Sequence, residues 1–196
     1  MEQRVWTIPN ILSFIRLALV PVFLYLLLDR HAWGPATAIL MFGGISDWAD
    51  GKIARLVPNQ SSRLGALLDP LVDRIYMVAV PVGLAFAGVV PWAVVAILLG
   101  RDLVLAATLP LVRGRGLDAL PVTYIGKSAT FALMSGFPLV VLGQWDALWS
   151  TVIGAIGWGF VIWGIGMYLW SAVLYLIHVR MVVRQLPKVR RDAARS

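Results

Sequence analysis

The chain contains no cysteine, which excludes a disulfide framework and any thiolate metal site. Charge is scarce as well. Only 14% of the 196 residues are Asp, Glu, Lys or Arg, against about a quarter in an average soluble domain. No repeat at solenoid periods and no low-complexity tract is present. What is abundant is apolar: 60% of the residues are hydrophobic and the mean hydropathy is +0.82. That excess is too large for one soluble core. It predicts an all-α polytopic membrane protein, a single domain over residues 1–196.

The apolar runs divide into six predicted helices, over roughly 11–28, 35–55, 63–88, 91–112, 121–142 and 148–183. Each is close to or above the ~20 residues that cross a bilayer, so six transmembrane helices are expected. Residues 1–9 then form a juxtamembrane segment and 184–196 a basic tail. Asn10 can cap the first helix, Pro35, Pro91 and Pro121 suit first-turn positions, and "VPNQSS" separates the second helix from the third. Trp6, Trp33, Trp92, Trp145 and Trp149 fall near predicted ends, where amphipathic rings favour the headgroup zone. The first run contains Arg16 and is followed by five more, which argues against a cleaved signal peptide.

Basic residues gather on one side of this arrangement. Lys52, Arg55, Arg63 and Arg74 flank the second connection, Arg113 and Arg115 the fourth, and Arg180, Arg184, Lys188, Arg190, Arg191 and Arg195 the C-terminus. The positive-inside rule then places both termini on the cytoplasmic face of the cell's inner (plasma) membrane. The net charge of +7 reads as topology and affinity for anionic membrane lipid. Spread over one membrane face, it does not indicate a nucleic-acid partner.

Against this background, "ISDWADGKIAR" places Asp47 and Asp50 at the end of an apolar run, and Asp69 and Asp73 follow on the next predicted helix. On an ideal helix with Asp47 at zero, Gly43 falls at about −40°, Asp50 at about −60°, Gly51 at about +40° and Ala54 at about −20°. Relative to Asp69, Gly65 falls at about −40°, Asp73 at about +40° and Ser62 at about +20°. Two narrow faces thus combine acids with very small residues. Four clustered carboxylates need compensation. Arg55, Arg63 or Arg74 could supply it, as could protons, or a hard divalent cation such as Mg²⁺ or Mn²⁺ held by oxygen ligands alone. The small residues Gly43, Gly51, Ala54 and Gly65 favour a flat, bulky ligand against the backbone, such as a metal-bound nucleotide diphosphate.

The stretch "DWADGKIARLVPNQSSRLGALLDPLVD" fits the pattern D-x2-D-G-x2-A-R-x9-G-x3-D-x3-D. It resembles the signature of the CDP-alcohol phosphatidyltransferases, and "TIPNILSFIRLALVP", "GRD" and "IGK" extend the likeness over most of the chain. The resemblance implies a membrane-embedded six-helix homodimer that moves a phosphatidyl group from a CDP-linked donor to an alcohol and releases CMP. It implies that Asp47, Asp50 and Asp69 ligate divalent metal, with Asp73 near a second ion and acting as general base. Gly51, Ala54, Gly65, Arg55 and Ser62 would then bind the donor, CDP-diacylglycerol, with Asn10 and Arg16 lining the same pocket on the cytoplasmic side.

Arg101 and Lys127 stand in otherwise apolar spans, an expensive placement that suits an acceptor phosphate. A phosphate-bearing alcohol or lipid acceptor is expected. "WTIPNILS", "NQSSRLGALLDPLVD", "GRDLVLAA" and "YIGK" look most like the cardiolipin-forming branch of the family, whose acceptor is phosphatidylglycerol. The branch that uses glycerol 3-phosphate is the alternative. It typically carries Arg-Glu and a further basic residue where this chain has Arg101-Asp102 and then "LVLAATLPLV". An ion-coupled transporter would be expected to show pseudo-symmetric halves, and the acids here are confined to one connection.

Overall fold

The computed structural model describes residues 7–56, 63–115 and 124–185. All six expected helices are present, and no strand occurs among the described residues: α1 (Ile8–Leu28), α2 (Trp33–Leu56), α3 (Arg63–Phe86), α4 (Trp92–Arg113), α5 (Tyr124–Leu142) and α6 (Leu148–Gln185). Pro121 and the "VPNQSS" segment lie outside the described residues.

Local chemistry explains where the helices stop. α1 begins one turn earlier than expected, with Thr7 as N-cap and Pro9 inside the first turn. Asn10 is therefore a helical residue and not the cap. α3 ends at Phe86, because Gly88 adopts φ 73 and reverses the chain. The Val89 amide donates to the Leu84 carbonyl at 2.9 Å and the Gly88 amide to that of Ala85 at 3.1 Å. This paired closure satisfies carbonyls that the last turn would otherwise leave open. Trp33 and Trp92 are the first residues of α2 and α4, and Trp149 is the second of α6, as interfacial anchors require.

Four helices are long and apolar enough to cross a membrane: α1 over Asn10–Leu28, α4, α5 and α6. By this measure the number among the described residues is four, where six were expected. α2 and α3 carry the acids and their flanking bases, which dilute the apolar run. α6, at 38 residues, is about 57 Å long at 1.5 Å per residue, well beyond a hydrocarbon core of about 30 Å.

The chain forms two compact units. The first comprises residues 1–95 and 134–161, the second 96–133 and 162–196. In the first, α1 packs on both α2 and α3, around a core that includes Phe23, Leu27, Ala36, Val72 and Leu84. The end of α5 and the start of α6 touch backbone to backbone in this unit. A Cβ on Gly143 would lie 2.6 Å from the Gly154 Cα, and one on Gly157 would lie 2.6 Å from the Val140 amide nitrogen. Small residues at such crossings allow the close approach on which helices in lipid depend. In the second unit Val112, Ala129, Leu133 and Tyr168 are buried, and Leu133 closes over Gly164.

These contacts make a stability prediction. Gly157→Leu must push apart two backbones and should lower stability in detergent by about 1–3 kcal/mol, the usual range for overpacking. Gly159→Ala, where nothing lies within 4 Å, should be neutral. Thermal unfolding of both variants decides it, and equal midpoints would refute the close crossing.

Candidate active site

The α2 helix runs unbroken to Leu56, and α3 is helical from Arg63. Positions 47, 50, 51, 54 and 55 therefore share one helical register, and 65, 69 and 73 share another. The side chains of Asp47, Asp50, Arg55 and Asp69, together with Gly51, Ala54 and Gly65, lie outside the described part of the structure, and Ser62 lies outside the described residues. Among the described residues no three His, Cys, Asp or Glu side chains converge in a way that could hold a metal ion.

Asp73 is described, and its partner comes from another helix. The Arg16 Nη1 donates to Asp73 Oδ1 at 3.2 Å. Arg16 is 2% exposed and the Asp73 side chain 46%. An arginine 57 residues away in sequence, Arg16, thus compensates this acid. Arg16 does not act alone. Thr7, Asn10, Ser13 and Arg16 recur every three residues along the start of α1, and all four are buried. Successive members turn by about −60° on an ideal helix, so these buried polar groups wind around the start of α1 and do not share one side. Asn10 and Arg16 were expected at the site. Thr7 and Ser13 were not, although their three-residue spacing in an apolar helix is a signal that a sequence reading can use.

Tyr76 locks the arrangement one turn beyond Asp73. Its hydroxyl donates to the Arg16 carbonyl at 3.2 Å, and a Cβ on Gly43 would lie 3.0 Å from its ring. Gly43 therefore admits a tyrosine from α3. It does not leave room for a nucleotide, as its position in the sequence had implied. Its neighbour Gly44 has nothing within 4 Å and borders a small, partly open apolar groove, lined among others by Leu40, Tyr76, Met77, Val80 and Phe137. Leu40 and Gly44 precede Asp47 by seven and three residues, and Tyr76, Met77 and Val80 follow Asp73 by three, four and seven. The groove is therefore a continuation, along the same two helical stripes, of the faces that carry the acids.

The second unit has its own charged cluster. Arg101 Nη1 donates to Asp102 Oδ1 at 2.9 Å and Nη2 to Ser171 Oγ at 2.9 Å. The guanidinium carbon lies 4.1 Å from the centre of the Tyr168 ring, and the Tyr168 hydroxyl donates to the same Asp102 oxygen at 2.6 Å. Lys127, expected inside the fifth span, is the fourth residue of α5 and exposed, its Nζ 5.8 Å from the Tyr124 ring centre. The membership of Asp102, Tyr168 and Ser171 was not anticipated from sequence.

The CDP-alcohol phosphatidyltransferase family model matches residues 6–163, a span that takes in both acid-bearing helices. A Mycobacterium tuberculosis protein named "Putative cardiolipin synthase" is 61% identical over 194 residues, covering 99% of this chain and 92% of that protein. The Streptomyces coelicolor cardiolipin synthase (CMP-forming) is 42% identical over 187 residues, 93% of this chain and 86% of its own length. An Arabidopsis thaliana CDP-diacylglycerol–glycerol-3-phosphate 3-phosphatidyltransferase is 28% identical over 191 residues, 90% of this chain and 81% of its own. With the family pattern matched across both acid helices and relatives of this similarity spanning nearly the whole chain, this protein belongs to the CDP-alcohol phosphatidyltransferase family.

Proposed function

We propose that the protein transfers the phosphatidyl group of CDP-diacylglycerol to a hydroxyl of phosphatidylglycerol, forming cardiolipin and releasing CMP. One observation carries the reading: the stripes of α2 and α3 that bear the acids run on into an apolar groove. A substrate that is a charged diphosphate at one end and a hydrocarbon at the other has that division. The choice of acceptor is supported by the two relatives at 61% and 42% identity, both named for cardiolipin synthesis, against 28% for the glycerol 3-phosphate enzyme. Transfer to glycerol 3-phosphate is the second reading, favoured by that last relative's coverage of this chain.

In this reading Asp47, Asp50, Asp69 and Asp73 hold two Mg²⁺ or Mn²⁺ ions. The donor set fits: hard oxygen ligands, no thiol, and neither of the two histidines on α2 or α3, since His31 lies between α1 and α2 and His178 on α6. Bound cations neutralise the diphosphate and stabilise charge on the departing CMP. The acceptor oxygen attacks the phosphorus that bears the diacylglycerol, the bond from that phosphorus to CMP breaks, and CMP leaves with the electron pair. Asp73 takes the hydroxyl proton, and Arg16 fixes the orientation of its carboxylate. Gly51, Ala54 and Gly65 leave space for the cytidine, with Arg55, Ser62 and Asn10 as donor contacts. Arg101 and Lys127 serve the acceptor phosphate. The groove takes an acyl chain of the donor. Six spans, a homodimer, and a site opening to the cytoplasmic face of the plasma membrane complete the picture.

Two experiments test it. Purified protein with CDP-diacylglycerol and phosphatidylglycerol should release CMP only with Mg²⁺ or Mn²⁺ present. Asp73→Asn should lower turnover by at least about 10²-fold, the low end of a general base's contribution, while donor binding persists. Metal-independent CMP release, or an active Asp73 variant, refutes the mechanism. Separately, Gly44→Leu should fill the groove and raise KM for a long-chain donor about tenfold, the worth of roughly two buried methylenes. A short-chain donor should be much less affected, and equal effects on both donors would remove the acyl chain from the groove.

A further inference from the structure

Arg101 and Asp102 form an ion pair whose sum of charge is zero, set among apolar helices and fixed from α6. Three contacts hold it. Tyr168 stacks on the guanidinium and donates to the Asp102 carboxylate, Ser171 accepts from Nη2, and the Ser171 hydroxyl in turn donates to the Tyr168 carbonyl at 2.9 Å. An arginine needed only for packing would be expected to spend its donors within such a cluster. Here the Arg101 Nε is buried with no hydrogen-bond partner, while the side chain keeps 16% of its surface exposed. A guanidinium has five N–H donors. Two of its nitrogens are directed by the cluster, and an unused donor remains in a place where leaving one unsatisfied costs free energy.

We infer that Asp102 is a specificity-determining residue: by neutralising Arg101 it tunes this cluster to a monoanionic phosphodiester and against a dianionic phosphomonoester. The inference rests on the proposed role of Arg101 at the acceptor phosphate. A phosphomonoester carries close to two negative charges at neutral pH, a phosphodiester one. Arg101 can donate hydrogen bonds to either. The second charge of a phosphomonoester would lie beside the Asp102 carboxylate, which already takes up the charge of Arg101. In a medium of low dielectric constant that repulsion is strong. Selectivity is a difference of two affinities, and repulsion of the wrong ligand contributes as much as attraction of the right one. Tyr168 and Ser171 are positioning residues that keep the carboxylate on the guanidinium.

The test measures kcat and KM for phosphatidylglycerol and for glycerol 3-phosphate, each with CDP-diacylglycerol, in the purified full-length protein. Wild type should prefer phosphatidylglycerol. A wild type that uses only glycerol 3-phosphate overturns the proposed acceptor, whatever the variants do. Asp102→Asn leaves Arg101 uncompensated and should cut the phosphatidylglycerol-to-glycerol-3-phosphate ratio of kcat/KM by about tenfold or more, the scale of removing a like-charge repulsion. Asp102→Glu, which restores the charge, should bring that ratio back. An unchanged ratio in Asp102→Asn, or equal loss on both acceptors together with lower thermal stability, reduces the cluster to a helix staple and overturns the inference. Should Asp102→Asn not fold, Tyr168→Phe keeps both charges and the ring. It should raise KM for phosphatidylglycerol a few-fold, with kcat and donor KM unchanged. No change in that KM, or an equal change in donor KM, overturns the inference by the second route.

Discussion

A carboxylate inside an apolar helical bundle must be met by positive charge or by hydrogen-bond donors, and much of this structure follows from that requirement. Burying a charge without a partner costs far more than a single domain's margin of stability allows. Here the buried charge is Arg16, which is met by the half-exposed Asp73 because α1 packs on α3. α1 in turn presents Thr7, Asn10, Ser13 and Arg16 as buried polar groups. The first helix therefore does more than anchor the chain. Its opening turns supply polar groups to the interior of the first unit, and its later turns, with Phe23 and Leu27 buried, supply apolar ones.

The second unit meets the same requirement in another way. Arg101 is compensated by its immediate neighbour in sequence, and the pair is then fixed by Tyr168 and Ser171 of α6. The two solutions differ in what they leave behind. Arg16 is almost wholly buried while its acid stays half-exposed, so the first pair presents a carboxylate. The second presents a guanidinium held by a carboxylate. A carboxylate suits cations and proton removal. A neutralised guanidinium suits an anion of low charge. In the proposed reaction the first set of properties belongs to the chemical step and the second to choosing what reacts.

The helices were legible because hydropathy and turn chemistry act over a few residues. The ends of α2, α5 and α6 fall within a few residues of their expected places, since Pro, Gly and the polar connections punctuate the chain. The acid pattern was legible for a similar reason: fixed spacing on a helix puts residues on one face regardless of what lies opposite. What sequence could not fix was partners. Arg16 lies 57 residues from Asp73, and nothing in the sequence says that α1 packs on α3 and brings it there. Asn10 looked like a cap because it follows proline, whereas α1 tolerates Pro9 in its first turn and begins at Ile8. Four of the six expected spans stand out among the described residues, and α2 and α3 do not. The charges that make them interesting also lower their hydropathy.

Gly43 and Gly44 show how finely the polar and apolar parts are interleaved. Adjacent in sequence, they point 100° apart on α2 and serve opposite ends. Gly43 is closed by the Tyr76 ring, whereas Gly44 stays open on the groove. Tyr76 belongs to both regions. Its hydroxyl donates to the backbone of Arg16, the residue that holds Asp73, and its ring lines the apolar groove. A larger residue at position 43 would displace the ring and with it the hydroxyl, so the glycine, the tyrosine and the arginine constrain one another. The boundary between the charged and the apolar end of the candidate site is thereby set by a single side chain packed on a glycine. In the proposed reaction, whose substrate changes from diphosphate to hydrocarbon within a few bonds, a fixed boundary of that kind would hold the reacting phosphorus at the acids and not a turn too deep.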